Sequence, residues 1–153
     1  MPDPGGGLGR VLGIDPGRRR VGFAVSDEAR RVALGLETFE AGPRLGLVDH
    51  IRELLQAYGV TRIVLGHPRT LRGEEGEAAR RSTALARRLR RELGLPVELW
   101  DECLTTVQGA RLLRGERVPK GTLDRVAATL LLQNWLDRHA GEQGSGGAPE
   151  EAP

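Results

Sequence analysis

The feature that most constrains the fold is a pair of short apolar runs, 10–15 (RVLGID) and 21–26 (VGFAVS), separated only by Pro16-Gly17-Arg18-Arg19-Arg20. A connection this short can turn a strand back on itself but cannot hold the crossover helix that parallel neighbours need. The two runs therefore read as an antiparallel hairpin. A third strand within 32–39 (VALGLETF) extends the hairpin into a meander.

Beyond the meander the spacing changes. Leu47, Ile51, Leu54, Leu55 and Tyr58 recur at helical intervals and predict a helix over 44–58, followed by a strand at 62–66 (RIVLG) that stops at His67-Pro68. A long helix over 74–93 is expected to turn Ala78, Ser82, Leu85, Leu89 and Leu93 inward. Arg80, Arg87 and Arg91 fall on its opposite face, with Arg81 and Arg88 beside them. Residues 96–100 (PVELW) read as a fifth strand, and helices over 105–114 and 122–139 follow, with Thr105 or Thr106 and Thr122 as caps. The order β-β-β-α-β-α-β-α-α predicts an α/β fold. Its sheet is mixed and five-stranded, an antiparallel meander plus two parallel strands with flanking helices. That order is ribonuclease H-like, an analogy of fold that by itself says little about chemistry.

The 153 residues suit one domain. Its expected extent is 10–140, between a Gly- and Pro-rich segment at 1–9 and a Gly/Pro/Glu tail at 141–153, both expected to be disordered. No apolar run approaches the roughly 20 residues of a membrane span, and the first residues do not read as a secretory signal. A cytoplasmic protein without a membrane partner is the expectation. Cys103 is the only cysteine, which excludes an internal disulfide framework and a cysteine-based zinc site.

Of the 23 basic residues 22 are Arg, and the whole chain carries a net charge of +2. Residues 10–140 keep all 23 basic side chains but only 17 of the 21 acidic ones, a net +6. The tails thus conceal a basic domain suited to a phosphate-rich partner. Aromatic residues make up 3% of the chain, so recognition through backbone and shape is expected over base stacking.

Three acidic residues stand at the ends of apolar elements: Asp15 closes the first strand, Glu102 follows the fifth, and Asp124 opens the last helix. Each alone has an ordinary explanation, as a turn-starting Asp, a loop charge or a helix-dipole partner. Together they gain weight, because the carboxyl ends of strands in an open α/β sheet converge on one rim where ligands bind. Clustered carboxylates there need a cation. Oxygen ligands without paired His or Cys favour Mg²⁺ or Mn²⁺. Asp101 and Glu102, being adjacent in a strand, point to opposite faces, so only one can enter such a site.

Several stretches together resemble the YqgF/RuvX family of pre-16S rRNA nucleases and Holliday-junction-resolvase-like proteins. They are Gly13-Ile14-Asp15-Pro16-Gly17 with Arg20-x-Gly22-x-Ala24, Gly66-x-Pro68, Asp101-Glu102-x-Leu104-Thr105-Thr106, and Asp124-x-x-Ala127-Ala128 with Leu131-Leu132-Gln133. The resemblance covers about residues 10–139. It implies a ribonuclease H-like, metal-dependent nuclease of the cytoplasm, acting in maturation of the 5′ end of 16S rRNA in the assembling ribosome. Carried over by position, Asp15, Glu102 and Asp124 are the catalytic acids and metal ligands. Arg20 falls in the first hairpin, and Thr105 and Thr106 beside Glu102. Arg18 next to Asp15 and Lys120 before the last helix join them as expected phosphate-binding groups.

Departures from the family pattern are His67, where an apolar residue is usual, Cys103 in place of an Arg, and Thr70-Leu71-Arg72-Gly73 in an altered loop. His67 reads either as packing at a strand end or as a further metal or phosphate ligand. Three rival functions compete with RNA cleavage. The same acids could resolve branched DNA. A non-catalytic ribosome-assembly factor would bind RNA without cutting it. An actin-like nucleotide-binding protein would need a second Asp-x-Gly-Thr loop, which the sequence lacks.

Overall fold

The computed structural model describes residues 9–17, 20–40, 46–68, 76–102 and 122–140, with positions 68, 102 and 122–124 described by their backbone. These residues form β1 (Arg10–Pro16), β2 (Arg20–Ser26), β3 (Ala33–Gly35), β4 (Phe39–Glu40), α1 (Leu47–Tyr58), β5 (Val60–Pro68), α2 (Glu77–Leu93), β6 (Val97–Glu102) and α3 (Thr122–Arg138). Apart from Gly9, the two segments expected to be disordered lie outside the described residues, as does the helix expected at 105–114.

One sheet runs in the order β3-β2-β1-β5-β6. The short connection after β1 produces the antiparallel hairpin, with Asp15 opposite Gly22. β5 then joins β1 in parallel, Ile14 beside Leu65, and β6 joins β5 in parallel, Leu65 beside Leu99. The expected third strand is present as two pieces, since β3 and β4 both pair with β2. Between them the Leu36 amide still donates to Phe23 O of β2 (2.9 Å), while its carbonyl accepts from Arg125 Nε of α3 at 3.0 Å.

Strand alternation divides the side chains between two cores. Leu12, Ile14, Val21, Phe23, Val25, Ile63 and Leu65 form one with α1 and α2. Val11, Ala24, Ala33 and Val64 form the other with Ala128, Leu132, Trp135 and Leu136 of α3. On α2 the buried line is Ala79, Ser82, Ala86 and Leu89, one position round from the expected one. Its small residues line the closest approach, while Leu85 and Leu93 fill the margins.

The α3 face is closer still. A Cβ built on Gly13 would lie 2.8 Å from Leu132 Cβ, and one on Gly35 would lie 2.7 Å from Arg125 Cγ. Glycine at these strand positions therefore sets how near the helix can come. Polar clips fix its docking. Gln133 Oε1 accepts from the Ala33 amide (2.9 Å) while its Nε2 donates to Arg31 O (2.8 Å). Trp135 Nε1 donates to Glu98 Oε1 (3.2 Å), which Arg62 also engages at 3.3 Å. At the amino ends of the strands Arg30, at φ 59°, donates to Gly9 O (2.9 Å) and Thr61 Oγ1 (3.1 Å). Burial, helped by the Arg62 charge, pushes its pKa down to about 10.

Candidate active site

The carboxyl ends of β1, β5 and β6 form one rim, and the two-residue repeat of each strand decides which residues share a face there. On β1, Val11 and Gly13 face α3, so Asp15 does too. Its carboxylate sits over Gly66 of β5, where a built Cβ would be 3.7 Å from Asp15 Oδ1 and 3.6 Å from Leu131 Cδ1 of α3. Gly66 is thus the floor beside the acid, and any side chain there would rise into the space between Asp15 and α3.

On β6, Glu98 and Trp100 belong to the α3 face, shown by the Trp135–Glu98 bond and by Trp100 packing on that core. Continuing the alternation places position 102 on the same face, at the strand end opposite Pro68. Position 15 on β1 and position 102 on β6 lie two strands apart, about 10 Å, with Gly66 between them.

Register along α3 places the third acid. The helix runs antiparallel to β1, β5 and β6: Ala128 and Leu132 lie against Gly13, Leu131 against Gly66, and Trp135 reaches back to Glu98. Asp124 is one turn before Ala128, about 6 Å nearer the rim. Asp15 lies two residues beyond Gly13, again about 6 to 7 Å. Positions 15 and 124 therefore come level at the rim, the same rim at which β6 ends at position 102.

His67 and Asp101 belong to the other face. His67, 4% exposed, shares a hydrogen bond between its Nδ1 and Asp101 Oδ1 at 3.0 Å. Its Nε2 meets Thr83 Oγ1 of α2 at 3.3 Å, and that hydroxyl also donates to Ala79 O at 3.1 Å. The imidazole ties the end of β6 to α2 beneath the sheet, so of its two readings the structure supports packing at the strand end. Position parity carries the signal in the sequence, since Gly66 shares a face with Asp15 and His67 cannot. Among the described residues no group of three His, Cys, Asp or Glu side chains is gathered.

Arg20 opens β2, half-buried, with Nε and Nη1 withdrawn from solvent one hairpin turn away from Asp15. Arg18, Thr105, Thr106 and Lys120 lie outside the described residues. No described helix is long and apolar enough to cross a membrane.

A hairpin followed by two parallel strands, in the order β3-β2-β1-β5-β6 with helices on both faces, defines the ribonuclease H-like class of α/β proteins. Within it, the chain belongs to the RuvX family, described as Holliday junction resolvase, which it matches over residues 9–138. It is 41% identical over 155 residues to a protein of Pelotomaculum thermopropionicum named "Putative pre-16S rRNA nuclease", covering 93% of this chain and 99% of that one. A protein of the same name from Rhodococcus jostii is 38% identical over 161 residues, covering 99% and 89%. Among solved structures, T. thermophilus RuvC in complex with Holliday junction substrate superposes with a TM-score of 0.54 at 19% identity, over 86% of this chain and 96% of that one. That likeness is one of fold.

Proposed function

We propose that this protein is a metal-dependent endonuclease that hydrolyses RNA phosphodiesters, acting in the cytoplasm on the 5′ end of pre-16S rRNA in the assembling ribosome. The reading is supported by the backbone placement of Asp15 at the end of β1, position 102 at the end of β6 and position 124 in the first turn of α3, all at the same rim of the sheet. The names of the relatives support the choice of RNA.

The donor set fits a hard divalent cation. It consists of carboxylates, while His67 is engaged on the far face, so Mg²⁺ or Mn²⁺ is favoured over zinc. Asp15, Glu102 and Asp124 would hold it. Once bound, such ions lower the pKa of a water and neutralise charge developing on the phosphate. Asp15, half-buried over Gly66, is held in place by β1 rather than by a loop, which suits a ligand that must not wander. Arg20, with Arg18, Thr105, Thr106 and Lys120 from the neighbouring segments, would hold the phosphates flanking the scissile bond. Hydrolysis leaves a 5′-phosphate and a 3′-hydroxyl.

The family description favours a second reading, cleavage of branched DNA by the same acids. One experiment tests both: purified protein with Mg²⁺ or Mn²⁺, a precursor 16S rRNA fragment and a four-way DNA junction, alongside Asp15→Asn and Asp124→Asn. Cleavage of the RNA by wild type, reduced about 100-fold or more in each variant, is expected. Equal cutting by wild type and variants would sink the metal site; cutting of the junction alone would transfer the assignment to DNA.

A further inference from the structure

We infer that Trp100, flanked by Arg138 and His139 at the close of α3, is a stacking ledge for an unpaired nucleobase of the RNA strand beside the cut. This deepens the proposed function and rests on its choice of RNA as substrate.

Aromatic residues make up only 3% of the chain, so where the fold puts them is informative. Phe23 and Phe39 are buried on the α1 and α2 side of the sheet, and Tyr58 closes α1. Both tryptophans belong to the other side, and the diagonal run of α3 brings them together. Arg125 near its start lies against Gly35 of β3, Ala128 and Leu131 cross Gly13 and Gly66, and Trp135 reaches Glu98 of β6. There Trp100 packs at the margin of the α3-side core.

The two indoles are held differently. Trp135 is sealed: it is 3% exposed, its Nε1 donates to Glu98 Oε1, and the His139 ring lies nearly flat on it, at 20° and 4.0 Å between centroids. His139 Nδ1 donates to Trp135 O at 2.8 Å, which fixes that imidazole in place. Trp100 is half-buried and is not covered in this way. His139 meets it tilted by 59° with centroids 5.8 Å apart, and the guanidinium carbon of Arg138 stands 6.0 Å from its ring centroid. Flat stacking brings carbons to about 3.5 to 4.0 Å, so neither neighbour lies flat on the indole. An aromatic face beside an exposed guanidinium suits a nucleotide whose base is unstacked: the base takes the ring and its phosphate takes the Arg. A duplex offers no such base, because its bases are paired and stacked on one another. The location fits the site. Trp100 shares the α3 face of β6 with position 102 and lies two residues before it, about 7 Å along the strand. That is about two steps of 3.4 Å along a stacked strand, so the base on the ledge belongs to a nucleotide close to the bond at the rim.

The test measures binding of a short fluorescein-labelled single-stranded RNA by anisotropy, in EDTA at low salt, for wild type, W100L, W100F and the control Y58L. A second probe of the same length lacks every base, leaving a bare ribose-phosphate chain, and circular dichroism checks the fold. On the RNA, W100L should bind about 5- to 150-fold more weakly than wild type, and W100F, with its smaller ring, about 2- to 5-fold more weakly. On the baseless chain both variants should stay within about 2-fold of wild type, since the phosphate charge is unchanged. Y58L removes a partly exposed aromatic on the opposite side of the sheet and should bind both probes as wild type does. W100F, the milder change, carries the comparison if W100L does not fold. If wild type binds the RNA and the variants bind it equally well, or lose as much on the baseless chain, the ledge is refuted while the proposed nuclease stands. If wild type does not bind RNA at all, both fall together.

Discussion

The two faces of the sheet are packed by different means. Against α1 and α2 the strands present bulk, with Leu12, Ile14, Phe23, Ile63 and Leu65 meeting Ile51 and Leu89. Against α3 they present Gly13, Ala24, Gly35 and Gly66 beside Val11 and Val64, and the bulk comes from the helix, as Leu132, Trp135 and Leu136. Large interlocking side chains make the first face the main store of apolar burial. The second face gives up volume for closeness, which brings the start of α3 level with the end of β1. The α3 face also carries the acidic positions of the proposed site, so the larger apolar core and the proposed chemistry lie on opposite sides of one sheet.

Substitutions can test that division. The largest stability effect is expected from Leu89→Ala, which empties a fully buried site among α1, α2 and the sheet. It should cost about 2 to 5 kcal/mol in a denaturant titration, yet nuclease activity per folded molecule should survive. Gly13→Val inverts the outcome. Its Cβ meets Leu132 Cβ at 2.8 Å, so α3 must shift, at about 1 to 3 kcal/mol, and activity should fall well beyond what the folded fraction explains. Active Gly13→Val, or inactive but folded Leu89→Ala, would erase the distinction between the faces.

His67→Leu sharpens the same contrast. It exchanges the bonds to Asp101 and Thr83 for apolar burial on the α2 side, and a net change within about 1 kcal/mol is expected. Cleavage should stay within a few-fold of wild type; loss of metal-dependent activity with the fold intact would return His67 to the site. The smallest effect concerns His50, whose ring stacks on Phe39 at 4.6 Å and tilts against Phe23 at 5.3 Å. Burial lowers its pKa below 6.5, against an opposing pull from Glu53. A depressed histidine pKa means that the unfolded chain takes up the proton first. Its contribution is therefore full above the unfolded pKa and declines as pH falls through that value towards the folded one. Stability measured on either side of that window should decline with acid in wild type and less so in His50→Leu.

Much of this was legible in the sequence because it depended on local pattern. The hairpin followed from the length of Pro16–Arg20, and the parallel strands from the helical spacing before each. Alternation alone separated Asp101 from Glu102. What the sequence did not disclose depends on partners far along the chain. The break in the third strand falls where Arg125 takes the Leu36 carbonyl from α3, a partner 89 residues along the chain. The inward turn of Ala79 and Ala86 reflects how closely α2 can seat, a matter of volume on the facing strands. Gly13 and Gly35 carry no periodic signal, and their purpose appears only when the helix above them is in place. His67 was ambiguous while its neighbours were unknown; Thr83 and Asp101 resolve it.

The contact between Gly13 and Leu132 also bears on timing. Protein synthesis proceeds from the N-terminus, so β1 and its hairpin leave the ribosome early, whereas α3 follows the rest of the sheet. A growing chain can hold Asp15 in its strand long before the helix bearing position 124 exists. With the acidic positions divided between its first strand and its last described helix, the proposed nuclease acquires its activity only when that helix closes over the sheet.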